Sequence, residues 1–231
     1  MIGQPQFHSR GSLPLSPLIL DDAGTVAHVW FKGAGILDRY ANTWTQNGTV
    51  PQVPRSGKTP AGAGAFADAN CYSLGSGNDA LDFAVPFSIA IVYKPNALTN
   101  NPVPISNGAV NTNGYVLQSG AAVTAFFQST AGSNAQAAVA AATVGQLNCV
   151  CCGVSATQVL AKINLGAINA VAKVATTAAT GTAMLLGRHG SAGLALNGTI
   201  YEAWFSTTAP TDALFISIMN RVKERAAITA W

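Results

Sequence analysis

Residues 87–95 read Phe87-Ser88-Ile89-Ala90-Ile91-Val92-Tyr93-Lys94-Pro95. In an extended chain, successive side chains point to opposite faces. Phe87, Ile89, Ile91 and Tyr93 therefore share one face, and Ser88, Ala90, Val92 and Lys94 share the other. Pro86 and Pro95 bound the segment, because proline cannot donate to the ladder of a central strand. This is the clearest strand in the 231 residues of the chain.

Working outward, the same kind of signal recurs. Strands are expected over 26–31 and 66–74 on the N-terminal side. On the C-terminal side they fall at 115–118, 123–128, 147–154, 158–164, 182–186 and 199–205. Asn47-Gly48 reads as a tight turn, 51–64 as a loop rich in Pro and Gly, and 75–79 as another turn. The alanine-rich stretch 135–142 is assigned to strand. Alanine favours helix, but Gly132 and Gly145 leave little room for one. Many short strands broken by Gly, Asn and Thr point to an antiparallel sandwich.

One helix is expected after Pro210. Thr211 can cap it, and Asp212 sits in its first turn. Phe215, Ile218, Met219, Val222 and Ala226 recur at spacings of three and four, which gives one apolar face, and Lys223 and Arg225 lie near the C-terminal end. The helix is expected across an edge of the sandwich. Residues 1–20, with Pro5, Pro14 and Pro17, read as an extended arm. The organisation is thus an arm over 1–20, an all-β sandwich over 21–209 and a helix over 210–231.

Composition narrows the functions. Apolar residues make up 49% of the chain and charged residues only 9%, against about a quarter in ordinary soluble domains. From Pro95 to Ala161 there is no Asp, Glu, Lys or Arg at all. Asn, Gln, Ser, Thr and Gly interrupt that stretch throughout, so it holds no run of about 18 apolar residues able to span a membrane. A surface solvated by amides and hydroxyls, partly covered by other subunits, is the expectation. The net charge of +3 is scattered, with one local cluster at Arg221, Lys223 and Arg225. The basic stripe that nucleic-acid binding requires is missing.

The first residues show no basic start followed by a long apolar segment, so secretion by a signal peptide is not expected. Cys71, Cys149, Cys151 and Cys152 form no spaced disulfide framework and read as buried thiols in a reducing compartment. Asn47-Gly48-Thr49 and Asn197-Gly198-Thr199 match the glycosylation pattern and read more simply as turns.

Three segments, in order, resemble the laminin-G-like branch of concanavalin A-like jelly rolls. Phe66-Ala67-Asp68-Ala69-Asn70-Cys71-Tyr72-Ser73-Leu74 is similar to that family's F-D-G-S-x-x-Y-x-x-L strand. The segment 87–95 is similar to its F-T-I-A-A-W-V-K-P. Leu186-Gly187-Arg188, followed by Leu196-Asn197-Gly198-Thr199-Ile200-Tyr201-Glu202-Ala203-Trp204-Phe205-Ser206, is similar to I-G-R and F-N-G-x-I-D-E-V-R-I-Y. The resemblance covers roughly 25–208 and implies a two-sheet jelly roll. The central hairpin departs from the pattern: Val154 to Gly166 lacks both aspartates of the family's Y-D-G-T-x-L-x-L-Y-V-D-G. A family calcium site is therefore not carried over, since calcium needs several oxygen ligands.

Other chemistries fall away on spacing. Glycanases of this jelly roll place E-x-D-x-E on one strand, with a retaining pair about 5 Å apart. Here the only glutamates are Glu202 and Glu224, and neither residue 200 nor residue 204 is a carboxylate. Gly57-Lys58-Thr59 lacks the earlier glycine of a phosphate loop, because position 52 is Gln52. Cys149 and Cys151 share a strand face while Cys152 lies on the other, so the C-x-x-C spacing does not converge on zinc. His28 and His189 could form a distant pair in the fold, but nothing in the sequence brings a nucleophile to them.

No catalytic, cofactor or metal residue is assigned. Trp44, Tyr40, Tyr115 and Trp231 are the rings available for sugar stacking, whereas Trp30 and Trp204 are expected in the core. The expected function is a non-enzymatic structural or assembly protein of a tailed-phage virion, capsid-decorating or part of the tail or fibre. Its partners would be other virion proteins and copies of itself, and it would be assembled in the bacterial host cytoplasm. The alternative is a carbohydrate-binding, lectin-like module for surface glycans. Neither reading involves nucleic acid or membrane insertion.

Overall fold

A computed structural model describes residues 19, 21–32, 35–53, 63–67, 70–74, 85–107, 114–128, 134–173, 184–189, 194–229 and 231. In chain order the first strands are β1 (Thr25–Lys32), β2 (Gly35–Asp38), β3 (Trp44–Asn47), β4 (Gln52–Val53), β5 (Ala63–Phe66), β6 (Cys71–Leu74), β7 (Phe87–Pro95) and β8 (Ile105–Asn107). There follow β9 (Gly114–Ser119), β10 (Val123–Gln128), β11 (Asn134–Val139), β12 (Asn148–Val154), β13 (Gln158–Ile163), β14 (Asn169–Ala172), β15 (Met184–Leu186), β16 (Gly198–Ser206) and helix α1 (Asp212–Arg225).

The strands form two antiparallel sheets. One runs β14-β13-β12-β7-β16-β1-β2, with β5 sharing the flank of β16 and β4 beside it, nine strands in all. The other has seven strands in the order β11-β10-β9-β8-β15-β6-β3. Phe87, Ile89, Ile91 and Tyr93 of β7 enter the core between the sheets, together with Val29, Phe31, Tyr72, Leu117, Phe127, Val150 and Phe205. Two polar contacts tie the layers across this core. Tyr93 Oη lies 2.8 Å from Ser119 Oγ, and the Tyr115 hydroxyl donates to Cys152 Sγ.

On the other face of β7, Ser88, Ala90 and Val92 are fully buried as well. The helix is the reason. Phe215, Ile218, Met219, Val222 and Ala226 form a second core with Ala90, Val92, Cys149, Cys151, Leu160, Tyr201 and Trp204. The helix therefore lies on the outer face of the nine-stranded sheet rather than across an edge. Its cap is as expected: Leu214 N–H donates to Thr211 Oγ1 at 3.1 Å. No helix among the described residues is long and apolar enough to cross a membrane.

Most expected strands form, including 134–139 in the alanine-rich stretch. The segment 66–74 does not form one strand. Phe66 ends β5 in one sheet and Cys71 begins β6 in the other, so the chain crosses between layers here. The loop expected over 51–64 contains β4 and the start of β5, and its residues 54–62 lie outside the described residues. The same holds for the turn at 75–79, for residues 182–183, and for all of the 1–20 arm except Ile19. At Asn47-Gly48 a turn is present. Gly48 has φ +74°, and a Cβ there would fall 2.0 Å from Asn70 Oδ1, so the position favours glycine.

Candidate functional site

Residues far apart in sequence meet on the outer face of β1 and β16. His28 Nδ1 lies 2.5 Å from Asp21 Oδ1, and its Nε2 lies 2.7 Å from Glu202 Oε1. Arg39 Nη1 reaches Asp21 Oδ2 at 2.6 Å, and the Ile19 N–H donates to Glu202 Oε1 at 2.8 Å. Both ring nitrogens face carboxylate oxygens, an arrangement that favours the doubly protonated imidazolium. Burial pulls the His28 pKa down. The hydrogen bonds and charges of Glu202 and Asp21 more than reverse this and hold it above its ordinary value.

This clasp joins Ile19 and Asp21 to the sheet. It offers no lone pair on the ring for base catalysis, and its carboxylates bind opposite sides of the imidazole rather than one point. Among the described residues no group of three His, Cys, Asp or Glu is placed to hold a metal. Glu202, only 1% exposed, is thus a partner of His28 within the fold. His189 follows β15 in the other sheet, so the two histidines belong to separate layers.

The cysteines are all free and buried. Cys149 and Cys151 pack under the helix, and Cys152 points into the inter-sheet core, as the alternation requires. Burial, and then hydrogen bonding with Cys149, raises the Cys151 pKa well above the ordinary thiol value. Burial lifts Cys152 to about 12. These thiols are packing groups, not nucleophiles.

Of the rings proposed for stacking, the fold withdraws two. Tyr115 is 1% exposed and packs on Phe87. Trp44 is 9% exposed, and its Nε1–H donates to Asp38 Oδ2 at 2.8 Å. Both point inward because their strands pair in a register that puts them opposite the second sheet. Trp231 is half-buried on the helix core, with its Nε1–H on the Leu147 carbonyl at 3.3 Å. Tyr40 stays exposed. Trp204 is core as expected, but Trp30 is half-exposed on the outer face of β1, opposite Leu37 of the short edge strand β2.

The helix and Ile19 cover the outer face of the nine-stranded sheet, whereas on the seven-stranded sheet, among the described residues, Gln118, Thr124 and Phe126 are partly exposed and Gln136 is exposed beside the buried Val116 and Ser106. A row of directly opposed residues crosses all its strands: Gln136, Phe126, Val116, Ser106, Leu185, Ser73 and Thr45. Beside it runs Gln118, Thr124 and Ala138. Their chain neighbours Leu117, Ala125, Phe127, Ala135 and Ala137 fill the core, so these rows face outward. None of the row residues is charged. Phe126 was missed in the sequence reading, although the adjacent pair Phe126-Phe127 in an alternating strand must send one ring to each face.

No family model and no curated protein matches the sequence. Solved structures do. Domain 4 of AbnA, a GH43 extracellular arabinanase from Geobacillus stearothermophilus, in complex with arabinotriose, has a TM-score of 0.65 at 14% identity, over 86% of this chain and 100% of that one. The binding domain of Paraclostridial Mosquitocidal Protein 1 has a TM-score of 0.68 at 10% identity, over 87% of this chain and 52% of that one. The binding domain of botulinum neurotoxin DC in complex with SialylT has a TM-score of 0.64 at 11% identity, again over 87% of this chain and 52% of that one. The chain therefore spans about half the length of the toxin binding domains. At these identities the likeness concerns the fold: this chain is an all-β, antiparallel two-sheet jelly roll of the concanavalin A-like kind with one C-terminal helix.

Proposed function

We propose that this protein is a non-catalytic carbohydrate-binding module that holds a glycan on the outer face of its seven-stranded sheet. The observation that carries the reading is that face itself. Over β9 to β11 it is partly exposed among the described residues, where the other sheet is covered by the helix; it has no charge along its rows, and it presents the amides of Gln118 and Gln136, the Thr124 hydroxyl and the Phe126 ring. Sugar hydroxyls donate and accept together, as do amides and hydroxyls, while a ring covers the apolar face of a sugar. The arabinotriose and SialylT complexes of proteins with this fold support the class of ligand. A glycan array probed with the purified protein, with and without chelator, tests the proposal. Retention on some glycan without release of reducing ends is expected. Retention on none, or cleavage, would sink it.

A second reading, a virion assembly subunit of a tailed phage, draws on the charge-free stretch from Pro95 to Ala161, which suits contact between copies as well as a sugar. The arabinanase and toxin likenesses favour the glycan. Light scattering separates the two: a monomer that never associates with particles argues against assembly.

A further inference from the structure

We infer that the glycan is an uncharged oligosaccharide lying over β9, β10 and β11, with Phe126 as its stacking ring and Gln118 and Thr124 as its hydrogen-bonding groups. This rests on the glycan-binding reading above and narrows it to a ligand class and a place.

The register fixes the layout. Phe126 stands opposite Val116 on one side and Gln136 on the other. Thr124, two residues along β10, stands opposite Gln118 and Ala138. Two outward rows thus lie about 7 Å apart, with neighbouring strands about 4.8 Å apart. Phe126 stays partly exposed while the adjacent Phe127 is 1% exposed, so part of the outward ring is left for a ligand. Its exposed neighbours Gln136 and Ala138 leave the edge of the platform open toward β11. On the β8 side, Ser106 is fully buried and donates to the Arg188 carbonyl at 2.9 Å, which closes the row there.

Charge then selects the ligand. Carboxylate and sulfate groups are recognised by Arg, Lys or clusters of N–H donors. Strands β8 to β12 and every connection between them fall in the stretch without Asp, Glu, Lys or Arg. The described cations near this end are otherwise engaged. Arg188 Nε–H donates to the His189 carbonyl at 3.1 Å, and Lys173 lies 5.7 Å over the inward Phe127 ring. An acidic glycan would lose its water here and gain no counter-charge.

The test is calorimetric titration of the full chain with uncharged and with sialylated or uronate oligosaccharides, comparing wild type, Phe126→Ala, Phe126→Trp and Gln118→Ala. Uncharged ligands should bind with little dependence on salt. Phe126→Ala should weaken them on the order of tenfold, Phe126→Trp should restore binding, and the thermal midpoints should stay close to wild type. Binding of acidic ligands alone, or wild-type affinity in Phe126→Ala, overturns this inference and leaves the broader reading standing. Retention of no glycan at all overturns both. A dimer that Phe126→Ala dissociates, with no glycan bound, assigns the face to a second copy and overturns it as well.

Discussion

Lys162 Nζ meets Asp212 Oδ1 at 2.8 Å, linking β13 to the first turn of α1, while only 6% of the Lys162 side chain is exposed. Lys162 sits opposite Cys151 in the ladder, on the face the helix covers, so its charge has been drawn under the helix and is answered by one carboxylate. Asp212 is half-exposed and partly screened by water, so the pair is of intermediate strength. Asp212→Ala should cost about 1–3 kcal/mol, because it leaves the buried ammonium without its partner. Lys162→Met should cost much less. Chemical denaturation of both single mutants and the double mutant closes the cycle, and a coupling near zero would show the pair to be incidental.

The His28 clasp makes stability depend on pH with a definite sign. Its pKa is raised in the folded state above the ordinary value of 6.5. Its contribution is therefore complete below about 6.5 and fades as pH rises through the higher folded value. Asp22 behaves oppositely. Burial pushes its pKa up, but hydrogen bonds from Ser206, Thr208, Thr25 and Gly24 outweigh that and set it below 3.8. Its contribution is present above that value and is lost as pH falls through the lower folded value. Thermal midpoints of wild type and His28→Gln across pH 5 to 9 should converge toward the alkaline end. Parallel curves would contradict the assignment.

Gly153 of β12 sits where the chain before the helix crosses β7. A Cβ at this residue would lie 2.3 Å from the Phe87 carbonyl oxygen and 3.1 Å from Pro210 Cβ. Gly153→Ala must push apart two backbone segments rather than a flexible side chain. A loss of about 1–3 kcal/mol is expected. Gly145, where a Cβ would meet nothing within 4 Å, has φ +73° and should tolerate Asn far better. Urea unfolding of the two variants measures the difference.

Thiol reagents give a fourth check. All four cysteines are buried, and burial keeps the Cys151 and Cys152 thiols protonated at neutral pH. Native protein should react with an aromatic disulfide reagent at the rate of unfolding, and denatured protein at once. Rapid native labelling at Cys149 or Cys151 would mean that the helix lifts off the sheet.

Much of the fold was readable because alternation and capping are local. Phe87–Pro95 and Thr211–Arg225 each declare their element within a few residues. The four-residue strands β2 and β3, and the three-residue β8, were not readable, since too few residues repeat to show a period. The change of sheet between Phe66 and Cys71 was missed because the sequence of a strand does not show which sheet it joins. Of the site, the lack of a carboxylate array was legible, but the platform was not. Which of Phe126 and Phe127 faces water depends on where the second sheet lies, and the meeting of His28 with Glu202 depends on the pairing of β1 with β16.

That pairing also dictates an order of events during synthesis. Thr25 sits opposite Ser206, and β7 has β16 as one of its two ladder partners. Until the ribosome has delivered residues 198–206, the first strand has nothing on that side to dock against and the middle of the larger sheet has one raw edge. Contacts this distant along the chain close slowly, so the emerging polypeptide passes through a long interval in which a chaperone or a neighbouring nascent chain can seize the bare edge of 87–95.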